Sequence, residues 1–195
     1  MHPQKAPDLD GMPSLFFQHY WPIVGNLVTK AVLDFLNFGI TPPMFNETHI
    51  VLIPKVNQPR RVTKYKPISL CNVIYKLAAK TLANRLKKVL PAIISDTQSA
   101  FVNGKLITNN VLVAFETMHQ ISQRKIGRQG EMAVKLDMSK AYDRMEWIYL
   151  DKIIEKLGFH QRWRGLMMQC ISSVTYAVRI NGKLKGHITP TRGLR

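Results

Sequence analysis

Nine consecutive residues, Lys135-Leu136-Asp137-Met138-Ser139-Lys140-Ala141-Tyr142-Asp143, have the types and spacing richest in possible chemistry. Met132, Val134 and Leu136 alternate ahead of Asp137, so a strand is expected over 131–137 with those three on one face and Asp137 on the other. A carboxylate held at a strand exit suits Mg²⁺, which demands near-ideal geometry and takes one or two carboxylates together with phosphate oxygens and water. Asp137 is therefore the candidate metal ligand and catalytic residue. Nucleotidyl transfer needs more than one such group, because two ions about 4 Å apart must activate the attacking hydroxyl and stabilise the leaving group. Further carboxylates must then come from elsewhere in the fold. Asp143 precedes an expected helix and has Glu146 three residues on, the spacing of a capping box, and is read as structural. Tyr142 is open to a reading as a core aromatic.

The elements that would position these groups follow from apolar periodicity. Helical spacing over 13–38 is divided into two helices by Pro22, and Ile50, Val51, Leu52 and Ile53 make a short buried strand over 48–54. A polar loop or hairpin rich in base covers 57–67. A helix over 72–90 turns Val73, Ile74, Leu77, Ala78, Leu82, Leu86 and Val89 inward and Lys76, Lys80 and Lys87 outward, and Pro91 ends it. Helices over 107–123, 144–157 and 161–172 follow, with a flexible joint at 127–130. Asn181-Gly182 then marks a hairpin between strands over 177–180 and 184–188. The order implies an α+β fold in two sub-domains.

Between Thr48 and Ser95 stand ten Lys or Arg residues (Lys55, Arg60, Arg61, Lys64, Lys66, Lys76, Lys80, Arg85, Lys87, Lys88) and no Asp or Glu. Solvated helices normally mix both signs to form i,i+4 pairs, so a compensating anion is expected, and phosphate fits. Binding of that kind is salt-dependent and reads the backbone rather than the bases. A solubilising surface is the plainer alternative.

Composition supports the same partner. The 195 residues carry 28 Lys and Arg against 12 Asp and Glu, a formal charge of +16 that favours a polyanion. No amphipathic basic helix or lipidation signal points to a membrane, residues 1–7 contain no apolar signal core, and no apolar stretch is long enough to span a bilayer. A soluble, intracellular protein is expected. Cys71 and Cys170 lie far apart with no metal-ligand spacing, and the six histidines are scattered, so neither a disulfide scaffold nor a zinc site is supported.

Taken in order, the motifs resemble the reverse transcriptases of non-LTR (LINE-type) retrotransposons, particularly plant ones. They are Lys5-Ala6-Pro7 with Asp10-Gly11, Leu52-Ile53-Pro54-Lys55, Lys66-Pro67-Ile68-Ser69-Leu70-Cys71-Asn72, Ala83-Asn84-Arg85-Leu86, Gln98-Ser99-Ala100-Phe101-Val102, the Asp137 segment, and Thr189-Pro190-Thr191-Arg192-Gly193-Leu194-Arg195. One alone is weak, but the ordered set is specific. The resemblance implies the fingers and partial palm of a right-hand polymerase, with an N-terminal extension and fingers over 1–130 and palm over 131–195. It implies that Asp137 is the first palm metal ligand, that Tyr142 excludes a 2′-hydroxyl, and that Lys66 contacts the nucleotide triphosphate with Arg60 or Arg61 beside it. Lys66 stands where the family has arginine, keeping the charge but losing the bidentate fork. Lys76, Lys80, Arg85, Lys87 and Lys88 would hold nucleic acid.

The family's Gly-Pro-Asp-Gly is Asp8-Leu9-Asp10-Gly11 here, and its Gly-Arg…Asp-Asn run appears as Gly104-Lys105…Asn109-Asn110. The implied partners are an RNA template, a DNA primer and deoxynucleotides, with Mg²⁺ as cofactor of the intact parent enzyme. The Asp-Asp hairpin that supplies the other metal ligands in the family is not among these residues. Weak or absent Mg²⁺ binding and no catalysis are thus expected of the chain alone. A non-catalytic RNA- or DNA-binding remnant is the alternative reading.

Overall fold

The structure, a computed structural model, describes residues 2, 7, 11–102, 104–124 and 130–194. Residues 127–129 of the joint expected over 127–130 lie outside the described residues, as do Lys5, Ala6, Asp8, Leu9, Asp10 and Arg195 of the motifs. The chain forms two compact units, Met1–Leu82 with Ala141–Arg195, and Ala83–Lys140. The architecture is mixed α+β, as expected.

In the first unit, α1 (Ser14–His19) and α2 (Trp21–Phe38) meet where Pro22 was expected to divide them. Pro22 sits in the first turn of α2, where a missing N–H breaks no intrahelical bond. Gly39 ends α2 in the left-handed region at φ 72° and donates its N–H to the Phe35 carbonyl at 2.8 Å. Four strands follow the order β2-β1-β3-β4: β1 (Glu47–Pro54), β2 (Tyr65–Cys71), β3 (Thr175–Ile180) and β4 (Lys183–Ile188). β1 pairs antiparallel with β2 and parallel with β3, and β3 pairs antiparallel with β4. Pro67 is tolerated in β2 because that strand is an edge. Asn181 and Gly182, both at positive φ (50° and 79°), make the tight turn that their sequence signals.

Helix α3 (Val73–Ile93) starts where the Asn72 side chain accepts the Ile74 N–H at 2.7 Å, and runs on into the second unit. α5 (Trp147–Lys156) and α6 (Gln161–Ser172) complete the first unit. Its core is Phe35, Leu36, Phe45, Ala78, Leu82, Leu166 and Cys170, drawn from α2, α3, α6 and the turn before β1. Arg162 of α6 donates to the Leu36 and Asn37 carbonyls at 3.2 and 2.6 Å, and Gln169 donates to the Gly39 carbonyl at 3.0 Å. Side chains of α6 thereby satisfy carbonyls that the end of α2 leaves open. The second unit contains the end of α3 and α4 (Ile107–Gln123), the latter at the bounds its periodicity predicts.

Three expectations are corrected. The strand over 131–137 does not form: those residues pair with no strand, and Met132, Val134 and Leu136 are 83%, 68% and 90% exposed. Alternation marks a segment able to line a sheet, but a strand exists only where another backbone takes its hydrogen bonds. Pro91 does not end α3, which runs to Ile93. The carbonyl it leaves unpaired is that of Lys87, an exposed residue. Finally, α5 starts at Trp147 with Glu146 as its capping residue and no side-chain cap, so Asp143 and Glu146 form no capping box.

Arg164 ties α6 to α5, donating to both Asp151 oxygens at 3.1 and 2.8 Å and to Glu155 Oε1 at 2.5 Å. The Arg164 hydrogen bonds hold the Asp151 carboxyl below its ordinary value of 3.8, and bonds from Lys152 and then Arg164 hold Glu155 below 4.5. Depressed carboxyl values stabilise the fold above the ordinary range, and that stabilisation is lost as pH falls through the lower folded values. Arg164→Met is therefore expected to flatten the acid limb, losing less stability than the parent in urea titrations between about pH 6 and about pH 3. Parallel acid limbs for the two proteins would count against the linkage.

Candidate nucleic-acid interface

Because β1 and β3 run parallel, their C-terminal ends lie at the same end of the sheet as the starts of β2 and β4. At the opposite end the central strands β1 and β3 are covered, with Thr48, His49 and Ala177 buried. The free end is cationic. Lys55, Arg60, Arg61, Lys64 and Lys66 come from the β1–β2 hairpin, Arg179, Lys183 and Lys185 come from the β3–β4 hairpin, and all eight are exposed. The four strands carry one carboxylate, Glu47, at the buried end of β1. A concentration of one charge sign without internal neutralisation attracts a polyanion and makes its binding salt-dependent.

The loop bearing Arg60 and Arg61 is braced from several sides. The Lys55 N–H donates to the Lys64 carbonyl at 2.8 Å, the Lys64 N–H to the Arg61 carbonyl at 2.9 Å, and the Tyr65 hydroxyl to the Pro59 carbonyl at 3.4 Å. Arg179, Lys183 and Lys185 were missed by sequence reasoning. Their alternation around Asn181-Gly182 marks a hairpin, but only the pairing of β3 with β1 brings that hairpin beside Lys66. On α3, Lys80, Arg85, Lys87 and Lys88 are exposed and Lys76 is half-buried, and the helix carries no carboxylate.

Tyr142 is 58% exposed and so is no core aromatic. It lines a cavity of about 220 Å³ with Tyr75, Cys170, Tyr176, Gly193 and Leu194 among its neighbours. Its turn is held by the end of the chain. Gly193 N–H donates to the Met145 carbonyl at 2.7 Å, Leu194 N–H to the Tyr142 carbonyl at 2.8 Å, and Trp147 Nε1 to the Gly193 carbonyl at 2.7 Å. Two motifs about fifty residues apart in the chain, the Asp137 segment and the Thr189–Leu194 run, are thus joined at the Tyr142 turn.

Asp137 belongs to the second unit and is exposed within an irregular stretch. Among the described residues no group of three His, Cys, Asp or Glu side chains is placed to hold a metal ion. A lone exposed carboxylate does not fit a two-ion centre, whose paired charges need several anionic ligands. In the same unit, Lys105 Nζ donates to the Ser95 and Asp96 carbonyls at 3.3 and 3.0 Å, and Asn110 donates to Ser99 Oγ at 2.7 Å. Lys105, which stands for the arginine of the family's Gly-Arg…Asp-Asn run, and Asn110, which keeps its final asparagine, therefore brace their own loop.

A comparison with protein families matches residues 53–195 to reverse transcriptase (RNA-dependent DNA polymerase). The chain belongs to that family. The matched region takes in the cationic hairpin, α3, the Asp137 segment and the β3–β4 hairpin. This reverse transcriptase chain is 30% identical over 191 residues to the transposon TX1 uncharacterized 149 kDa protein of Xenopus laevis, covering 98% of this chain and 14% of that protein. It is 23% identical to the retrovirus-related Pol polyprotein from type-1 retrotransposable element R2 of Popillia japonica, over 80% of this chain and 22% of the relative. The probable RNA-directed DNA polymerase from transposon BS of Drosophila melanogaster is 26% identical, over 79% of this chain and 17% of the relative. The reverse transcriptase domain is of the non-LTR retrotransposon kind that the ordered motifs implied, and it spans less than a quarter of each of these relatives. Enzymes of the family generally use Mg²⁺ and in intact form engage template, primer and nucleotide. Among the described residues no helix is long and apolar enough to cross a membrane.

Proposed function

We propose that this chain is the nucleic-acid-holding share of an RNA-directed DNA polymerase, with its N-terminal extension and fingers over 1–130 and the start of the palm over 131–195. In the intact enzyme Asp137 would hold Mg²⁺, whose part is to neutralise charge on the transferring phosphoryl group. Tyr142 would stand against the sugar of the incoming nucleotide, and Lys66 with Arg60 or Arg61 would meet its phosphates. Lys76, Lys80, Arg85, Lys87 and Lys88 of α3 would hold the backbone of the template and primer. The observation that carries the reading is the acid-free run of cations from Lys55 to Lys88 in a chain with the family's ordered motifs. A surface evolved for solubility alone would gain from interspersed carboxylates.

The test is binding of an RNA–DNA hybrid duplex, followed by fluorescence anisotropy across a salt series. Log affinity is expected to fall steeply with log salt, and changing Lys76, Lys80 and Lys87 together to Ala should reduce the slope by roughly 2 to 3, near 0.9 for each phosphate no longer neutralised. Affinity indifferent to salt would sink the proposal.

A further inference from the structure

The sheet register joins two cations that stand more than a hundred residues apart. β1 lies between β2 and β3; Ile53 of β1 is opposite Lys66 of β2, while Val51, two residues earlier, is opposite Ile68 of β2 and Arg179 of β3. Paired residues in a ladder project to the same side and side chains alternate along each strand, so Lys66, Ile53, Val51 and Arg179 share one face. A strand spacing of about 4.8 Å and a rise of about 3.3 Å per residue put the α-carbons of Lys66 and Arg179 roughly 12 Å apart. Both are exposed, and between them lies Ile53, 48% exposed, as an apolar floor. Among the described residues neither cation makes a salt bridge. The β4 lysines belong elsewhere, since Lys183 and Lys185 oppose Ile180 and Val178, which alternate with Arg179 and so face the other side.

We infer that Arg179 and Lys66 form one phosphate-binding face, in which Arg179 supplies the planar, bidentate donor fork that Lys66 lacks. Lysine is a compact point charge on a flexible stem, whereas a guanidinium grips two oxygens of one phosphate at fixed geometry. Two long cationic side chains flanking an apolar floor suit a ligand with successive phosphates and an uncharged body. The ligand class is a run of phosphates, whether the triphosphate of a nucleotide or the backbone of a strand. The inference rests on the proposed nucleic-acid reading and adds to it a residue and a division of labour.

Anisotropy of a labelled RNA–DNA hybrid and of a labelled deoxynucleoside triphosphate, each with the full chain, separates the two sources of phosphate. Response in either arm supports the phosphate class and says which source is held. In the responding arm, Arg179→Ala is expected to weaken binding roughly tenfold and, where the hybrid is the ligand, to lower the salt slope by about 0.9. Lys30→Ala, removal of one positive charge from an exposed lysine of α2 outside the cationic sheet end, should weaken it less than about threefold and leave the slope in place. Lys66→Arg added to Arg179→Ala should restore most of the affinity, because the fork is returned to the same face. Circular dichroism of the variants guards against misfolding, and Arg179→Lys, which keeps the charge without the fork, should fall between the parent and Arg179→Ala. Equal effects of Arg179→Ala and Lys30→Ala, or no recovery with Lys66→Arg, would overturn the inference while leaving the proposed function standing. Failure of the unaltered chain to bind in either arm would overturn both.

Discussion

Phe35→Ala is expected to lower the free energy of unfolding by about 3–5 kcal/mol, the usual cost of emptying a filled aromatic site. Phe35 has no exposed surface, its ring lies 5.1 Å from that of Phe45, and it sits where α2, α3 and α6 meet through Leu36, Ala78, Leu82, Leu166 and Cys170. The cost combines the forfeited burial with the cavity left behind, since α6 is tied to α2 by Arg162 and Gln169 and to α3 by the Tyr75 hydroxyl donating to the Cys170 carbonyl at 3.1 Å, which leaves the helices poorly placed to collapse into the space. Measured against a domain stability of about 5–15 kcal/mol, the loss is a large fraction of the whole. Urea denaturation checks it, with Ile23→Ala as comparator. Ile23 lies on the same helix but is 74% exposed, and its truncation should change stability by no more than about 0.5 kcal/mol. Equal losses in the two variants would mean that this cluster is not the core.

Gly193→Ala carries the next largest expectation, and it bears on the site. At Gly193 φ is +91°, a region L side chains rarely occupy, and an added Cβ would stand 3.1 Å from the Asp143 carbonyl oxygen. Backbone strain of this kind costs about 1–3 kcal/mol. Here it falls on a knot of short hydrogen bonds, because Gly193 donates to Met145 and accepts from Trp147 while Leu194 donates to Tyr142. The expected result is local release of the Tyr142 turn, read as amide exchange at residues 193 and 194 faster by roughly 5-fold to 150-fold, the rate equivalent of that strain. Gly186→Ala provides the contrast, since its φ is also positive (+70°) but nothing lies within 4 Å of an added Cβ. Its effect should stay within β4. Unchanged exchange at 193 and 194 in Gly193→Ala would show that the turn is held by other interactions.

Much of this fold follows from local pattern. The division at Pro22, the helices Ile107–Gln123 and Gln161–Ser172 and the Asn181-Gly182 turn form where periodicity and turn chemistry place them, because each depends on neighbours a few residues away. The strand expected over 131–137 shows where local pattern stops. Its alternation is real, but alternation describes a face and cannot provide the second backbone that a strand requires. The capping box fails for a related reason: the end of the chain binds the turn at Met145 and Tyr142, and α5 begins three residues later than the spacing implies.

The chain's own residues were enough to specify its chemical class. Charge without counter-charge, a carboxylate in an ordered set of motifs and a basic hairpin are matters of residue type and order, and they led to the reverse transcriptase family that the match over residues 53–195 bears out. Which cations share a face was decided by the tertiary structure alone. Lys66 and Arg179 share a face only because β3 joins β1 in parallel, and a register between strands so distant in the chain is set by tertiary pairing, which leaves no trace in local spacing.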